Sequence, residues 1–395
     1  MTQAPKSDST HESGARDRVR IGIVGFGTAG RAFVPAIRKH AGFAFAGFAD
    51  PSATVREAGA QEYGVTAYDS IEDLIAHGAL DAIYIASPTT LHRAHVELAA
   101  RAGKHVLVEK PMAANLDDAR AIVAAADAAG VVLLAGHSHS YDQPIHAMRE
   151  LIQSGELGRV RMIHTWCFTD WIYRPRRPDE LDTAQGGGVT LRQGSHQFDI
   201  IRLLAGGAAR SVRAKTFDWD PERRAIGAHT VFIEFDDGAA ATAVYNGYGR
   251  FASAELSFDI GEWGFPAQPR AIAKPASIED ELRAKAERAR HAIPAGAPDQ
   301  PFFGLTLVSC ERGEMRQSPK GLFVYTHEGR REIELPTDVS PRELVMREFH
   351  DAISGRKRAV HDGRWGLANL EVCAAAIASS ERGEEVFLMH QVALA

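Results

Sequence analysis

Residues 186–199 read GGGVTLRQGSHQFD, and within them a guanidinium, an imidazole and a carboxylate, Arg192, His196 and Asp199, stand at i, i+4 and i+7. On a helix that spacing stacks all three along one face. Val189, Leu191, Phe198, Ile200, Ile201, Leu203 and Leu204 predict a mostly buried helix ending at Gly206 and Gly207. Such a face could present a cation, a proton acceptor and an orienting acid to a single cleft. It could equally be a core helix whose polar residues pair with each other.

A cleft needs walls, and the first part of the chain supplies the pattern of one. Arg20–Val24, RIGIV, reads as a buried strand and runs into GFGTAG, which is Gly25, Phe26, Gly27, Thr28, Ala29 and Gly30, followed by RAFVPAIRKH with helical character. Strand, glycine turn and helix are what a dinucleotide pyrophosphate requires: a tight turn, close backbone approach, and a helix packed hard on its strand. A second apolar run, Phe43–Ala49, ends at Asp50, where a carboxylate would take both ribose hydroxyls. An acid there repels a 2′-phosphate and favours NAD, while Arg56 and Ser52 leave NADP open.

Strand and helix patterns continue to alternate through Ala82–Ala86, the helix His92–Ala102, His105–Val108, a helix after Asn115, and Val131–Ala135. This predicts an α/β doubly wound parallel sheet, in which ligands sit beyond the carboxyl ends of the strands. Three such ends carry chemistry: Ser87, Pro88, Thr89 and His92; Glu109 and Lys110 before Pro111; and His137 and His139. Each has a bland alternative, since His92 could simply decorate a helix start and Glu109 and Lys110 could be a solvated pair. The EKP triplet at the end of an apolar strand places the ammonium beside a nicotinamide, and His137 and His139 would line the site.

Composition limits the partners. Lys plus Arg number 45 against 51 for Asp plus Glu, a net charge of -6, so the chain as a whole has no attraction for nucleic acid or an anionic membrane. Cys167, Cys310 and Cys373 are far apart and form no CxxC pair, which predicts free thiols, no disulfide framework and no metal site. The first residues are polar, and no run reaches the ~18 apolar residues of a membrane span. The expectation is a cytoplasmic protein with a disordered tail at 1–17 and small-molecule partners.

GFGTAG, SPTTLH, VEKPMA and the GGG…H..D helix occur here in an order that resembles the Gfo/Idh/MocA oxidoreductases over nearly the whole chain. The resemblance implies a Rossmann domain at 18–137 and a second α/β domain at 138–395 with a large, mainly antiparallel sheet, with the active site between them. It also implies that Lys110 and His196 are the catalytic pair. One departure stands out: sugar and inositol dehydrogenases of the family usually carry an Asp four residues before this His, and Arg192 takes its place. The runs YRPRRPDELDTAQGGG, RQGSHQFDIIRLL and PFFGLTLVSCERGEMRQSP are similar to the branch of carboxylated dihydrodiol dehydrogenases that includes phthalate 4,5-cis-dihydrodiol dehydrogenase.

In the second half, a helix is expected at Pro144–Ser154, strands at Arg159–Phe168, Ala208–Phe217, Thr230–Phe235 and Ala239–Asn246, and closing helices at Pro341–Ser354 and Trp365–Ser380, within 341–395. The loop TDWIYRPRRPDELDTAQ holds Arg174, Arg176 and Arg177, either a basic surface turn balanced by Asp179, Glu180 and Asp182 or a lid gripping a substrate carboxylate. Residues 262–300 depart from the strand pattern and read as a solvated excursion suited to an oligomer contact in a dimer or tetramer.

Together these predict NAD-dependent oxidation of a carboxylated cyclohexadiene cis-diol to a catechol. His196, with an ordinary pKa of about 6.5, is the simpler base, and Lys110, ordinarily about 10.4, would bind the developing oxyanion, with the roles open to exchange. Asp199 would orient the imidazole. Arg192 with Arg174 or Arg176 would bind the carboxylate. A sugar, sugar-acid or inositol dehydrogenase, an NAD-dependent glycoside-cleaving enzyme and a non-catalytic NAD-binding regulator are the alternatives.

Overall fold

A computed structural model describes residues 18–267, 277–290 and 296–394, so the expected tail at 1–17 lies outside the described residues. Six short strands, β1 (Val19–Val24), β2 (Phe43–Ala49), β3 (Thr66–Tyr68), β4 (Ala82–Ile85), β5 (His105–Val108) and β6 (Leu133–Ala135), form a sheet in the order β3-β2-β1-β4-β5-β6. Every pairing in it is parallel. Helices cover both faces, so the inner strands are apolar throughout: Ala82–Ile85 and Val106–Val108 are all fully buried.

The strand order reverses between β1 and β4, and a crevice opens beyond their carboxyl ends. Gly25 turns the chain there with φ 87°, and a Cβ on it would lie 2.7 Å from the Ala86 carbonyl oxygen and the Ser87 nitrogen. Only glycine lets the two strand ends meet. A Cβ on Gly30 would lie 2.2 Å from the Gly25 carbonyl oxygen, so the helix Thr28–Lys39 seats directly on the turn.

A second sheet has nine strands: β7 (Val160–Phe168), β8 (Ala209–Phe217), β9 (Ala228–Phe235), β10 (Ala240–Asn246), β11 (Leu305–Cys310), β12 (Gly313–Ser318), β13 (Gly321–Thr326), β14 (Gly329–Glu334) and β15 (Val386–Phe387). Their order is β14-β13-β12-β11-β7-β10-β9-β8-β15, antiparallel except where β10 lies parallel to β7. Along β7 and β9, Ile163, Cys167, Val231 and Ile233 point into the core, while Met162, Trp166 and Phe232 alternate with them on an exposed face.

The C-terminal helices fasten the sheets together. Pro341–Ile353 puts Val345, Met346 and Phe349 into the same core as Ile21, Ile23 and Phe43 of the first sheet. Gly363–Arg382 packs on β8, on the helix Leu116–Ala129 and on Gly194–Ala205. The single helix expected over 189–205 is interrupted: Val189–Arg192 and Gly194–Ala205 are separate helices joined at Gln193, so the even i, i+4, i+7 stripe does not exist.

A Cβ on Gly27 would meet nothing within 4 Å, unlike one on Gly30. Gly27→Ala is expected to leave the melting temperature near wild type and weaken NADH binding measured by fluorescence, because its methyl fills the open turn. Gly30→Ala is expected to cost about 1–3 kcal/mol of stability by overpacking.

Candidate active site

A cleft of about 380 Å³ lies between the glycine turn and the second sheet. Gly27, Thr28 and Ala29 form its floor at one end, Ser87, Thr89, Glu109 and Lys110 edge it from β4 and β5, and Arg192 and His196 face them. Residues separated by most of the Rossmann half and a further strand and loop thus share one space.

The floor fits a dinucleotide. Gly27 caps the helix Thr28–Lys39 without a side-chain acceptor, so the first amide groups are open to phosphate oxygens. The Asp50 carboxylate is pinned at the turn, Oδ2 accepting from the Phe26 amide at 2.9 Å and Oδ1 from Ser52 at 3.0 Å, and each oxygen retains a lone pair for a ribose hydroxyl. Pro88 leads into a turn in which Thr89 is buried, while Ser87 Oγ pairs with His95 Nδ1 at 2.9 Å. His92 is buried, with one ring nitrogen 2.9 Å from the Ser87 carbonyl oxygen and the other 3.2 Å from that of Met112; burial takes its pKa to about 4. In its neutral form the ring has one N–H and donates to one of these two carbonyl oxygens, bracing that strand end.

Glu109 accepts from Tyr84 Oη at 3.1 Å and from the Lys110 amide at 2.7 Å, which fixes the backbone from which Lys110 projects. Lys110 Nζ donates to the Arg192 carbonyl at 3.2 Å, tying the end of β5 to the helix break. Burial lowers the Lys110 pKa against the pull of Glu109, and Arg192 lowers it further. His196 is buried, and its pKa lies well below 6.5, first through burial and then through Lys110, His139 and His137. Its Nδ1 has no partner among the described residues. The imidazole is therefore neutral, and no acid stands behind it to favour its charged form.

The expected role of Asp199 requires correction. Its side chain is fully buried away from His196, with Oδ1 accepting from Trp365 Nε1 at 2.6 Å and Oδ2 lying 3.7 Å from His361 Nε2. The helix turn that carries His196 into the cleft points Asp199 toward the closing helix. His137 also lies behind the cleft, at about pKa 4 through burial, with Nε2 3.5 Å from Asn369 Nδ2. His139 does reach the cleft, its ring 4.7 Å from that of His196. Burial opposes its charge, but Asp142 at 3.2 Å and Glu262 at 3.3 Å outweigh that and lift it to about 9.

Both readings of the arginine loop contain part of what is found. Arg177 pairs with Asp179 and Arg174 with Asp170 and Glu262, yet all three arginines line the cleft. Arg176 stacks over Trp171 at 4.0 Å. Arg192 does reach the cleft, where its Nη1 lies 3.5 Å from Glu180 Oε1.

Glu180, Glu262, Trp263, Lys285 and Arg342 were not expected at the site and all line it. Four of these have no local signal, since they come from segments remote in sequence. Glu180 stands between Asp179 and Asp182 in the arginine loop, and only its burial in the structure sets it apart from them. The excursion at 262–300 is not simply solvated: Glu281 is buried and holds Arg223 through two contacts of 2.7 Å, and Lys285 reaches Glu180. Among the described residues no His, Cys, Asp and Glu group is arranged to hold a metal, and no helix is long and apolar enough to cross a membrane.

Comparisons agree with this geometry. Residues 19–137 match the oxidoreductase family with an NAD-binding Rossmann fold, and residues 145–260 match the GFO/IDH/MocA C-terminal domain. The chain is 37% identical to 1-carboxy-3-chloro-3,4-dihydroxycyclohexa-1,5-diene dehydrogenase of Comamonas testosteroni, over 90% of this chain and 94% of the relative. It is 29% identical to 1,5-anhydro-D-fructose reductase of Ensifer adhaerens over 92% of this chain and 98% of that one. A solved protein from Bordetella bronchiseptica RB50 superposes with TM-score 0.85 at 38% identity, over 94% of this chain and 100% of that one.

Replacing Asp199 removes the acceptor of a buried indole N–H and the counter-charge of His361. Asp199→Ala is expected to lose roughly 3 kcal/mol of stability in denaturant unfolding. The pH dependence of any remaining turnover should stay where it is in the parent protein; a shift would place Asp199 in the proton path after all.

Proposed function

The chain belongs to the Gfo/Idh/MocA oxidoreductases, and from that premise we propose that it oxidises a carboxylated cyclohexadiene cis-diol to a catechol, with NAD as hydride acceptor. The observation that carries the reading is Arg192: a largely buried guanidinium stands in the same cleft as Lys110 and His196, at the position where the resemblance to sugar-handling members of the family leads one to expect an acid. The chain is an NAD(P)-dependent dehydrogenase, and Asp50 at the ribose position disfavours a 2′-phosphate.

The nicotinamide, when bound, supplies the hydride-accepting carbon. The protein handles the rest. Arg192, with Arg176, draws the ring carboxylate to the second-sheet side of the cleft, which sets the carbinol carbon between Lys110 and the cofactor floor. Lys110 takes the hydroxyl proton as the carbinol C–H bond breaks and the C=O bond forms. This exchanges the roles read from the sequence: burial lowers Lys110 toward the working range, whereas His196, crowded by positive groups, takes a proton reluctantly. Neutral His196 holds the hydroxyl by hydrogen bond. The hydroxydienone then tautomerises to the catechol, a step driven by aromaticity.

We place the enzyme in the cytoplasm, where free Cys167, Cys310 and Cys373 stay reduced, and as a homo-oligomer, dimer or tetramer, given exposed Met162, Trp166 and Phe232.

NADH formation at 340 nm should appear with carboxylated cis-dihydrodiols and not with uronates or inositol; turnover of the sugars alone would overturn the reading, and inertness toward every diol would favour a binding protein. Arg192→Met is expected to raise KM about ten- to a hundredfold for carboxylated diols and little for neutral ones. With Lys110 as base, kcat/KM should rise with pH through a midpoint below the ordinary lysine value of 10.5 and above the 6.5 of histidine. A rising limb below 6.5 would return the base role to His196. Lys110→Met should lose about 10²- to 10⁴-fold in kcat.

A further inference from the structure

The family match to the second half ends at residue 260, yet the cleft is completed by residues beyond it. The helix Ile278–Arg290 carries Glu281 and Lys285 one turn apart, hence on one face. Glu281 Oε1 accepts from the Arg176 amide and from Arg223 Nη2, each at 2.7 Å, and Oε2 accepts from Arg223 Nη1 at 2.7 Å. That clamp turns the shared face toward the cleft, while Leu282, Arg283, Ala284, Ala286 and Glu287 are exposed.

Lys285 Nζ lies 2.5 Å from Glu180 Oε2, which also accepts from the Arg177 amide at 2.7 Å. Arg192 Nη1 at 3.5 Å and Arg176 Nη1 at 3.9 Å approach the other oxygen. Glu180 is held in turn by its backbone, whose carbonyl accepts from Gly188 at 2.9 Å, two elements of one loop closing on the glycine run before Arg192. Burial would raise the Glu180 pKa, but Lys285, Arg192 and Arg176 hold it at about 2, so it stays a carboxylate.

Arg192 and Lys285, with Arg176 beside them, bring three positive charges to the one carboxylate of Glu180, and Arg192 Nε is buried without an acceptor among the described residues. A cation cluster over-charged by design of its surroundings and open to the cleft is completed by one more anion. We propose that Lys285 is a specificity-determining residue, sharing with Arg192 the carboxylate of the bound diol, so that the helix Ile278–Arg290 contributes part of the anion site. Glu180 is then the internal carboxylate that keeps these cations in place between turnovers. The inference rests on the substrate being an anionic diol.

The experiment compares Lys285→Met, Lys285→Arg and Arg192→Met on a carboxylated cis-dihydrodiol and its neutral analogue, with NADH affinity and melting temperature measured on each. Lys285→Met should raise KM for the carboxylated diol about tenfold or more relative to its effect on KM for the neutral diol, and Lys285→Arg should restore that ratio. Burial, against Glu180 and with Arg176 and Arg177 nearby, brings Lys285 down to about 8, so the parent KM should climb above that pH and that of Lys285→Arg should not. If Arg192→Met discriminates and Lys285→Met does not, the helix has no part in the anion site although the substrate reading stands. If neither discriminates, the substrate reading itself fails. Equal losses on both diols with lowered melting temperature would make Lys285 a fold-stabilising ion pair only, and overturn the inference.

Discussion

Removing Lys110 and His196 from water is the constraint on which the site depends. Burial disfavours the charged form of both, and each lies in the positive field of the other's surroundings. An amine and an imidazole that are both reluctant to ionise can sit in one cleft without driving it open. No acid stands against His196 Nδ1 among the described residues, and Asp199, one helical turn on, faces Trp365 and His361 instead.

Around Lys110 and His196, two buried carboxylates hold the neighbouring cations. Glu180 answers Lys285, Arg176 and Arg192, and Glu262 answers His139 and Arg174. Glu262 is held at about 2, with His139 and Arg174 overcoming its burial. These carboxylates hold the cations in direction through ion pairs already present in the protein. They also join segments that share no strand: the arginine loop, the helix break and the excursion past residue 260 meet at two carboxylates.

Much of the frame was legible. β2 and β5 appear at the bounds expected for them, Phe43–Ala49 and His105–Val108, because each is a short, mostly apolar run with no competing helical periodicity. Lys110 was legible because a charged residue directly after such a run has nowhere to go but the sheet's end. The helix break at Gln193 was not, since periodicity reports a buried face and is blind to a single residue of irregular backbone. Asp199 shows the same limit from another side: spacing says which residues share a face, and not what that face meets.

The sequence by itself determined the local pieces: a glycine turn between strand and helix, an acid at the end of the second strand, a lysine at a strand end, a histidine after a glycine run, and an arginine four residues before that histidine. These follow from steric freedom, apolar runs and short-range spacing, which are local properties of the chain. Tertiary structure alone decided that Glu180 organises the cations, that Lys285 and Glu262 come to the cleft from a segment that read as solvated, and that Asp199 leaves His196 Nδ1 without a partner among the described residues. Such choices depend on which distant groups share a low-dielectric space, because ion pairing and desolvation act through distance in three dimensions and not along the chain.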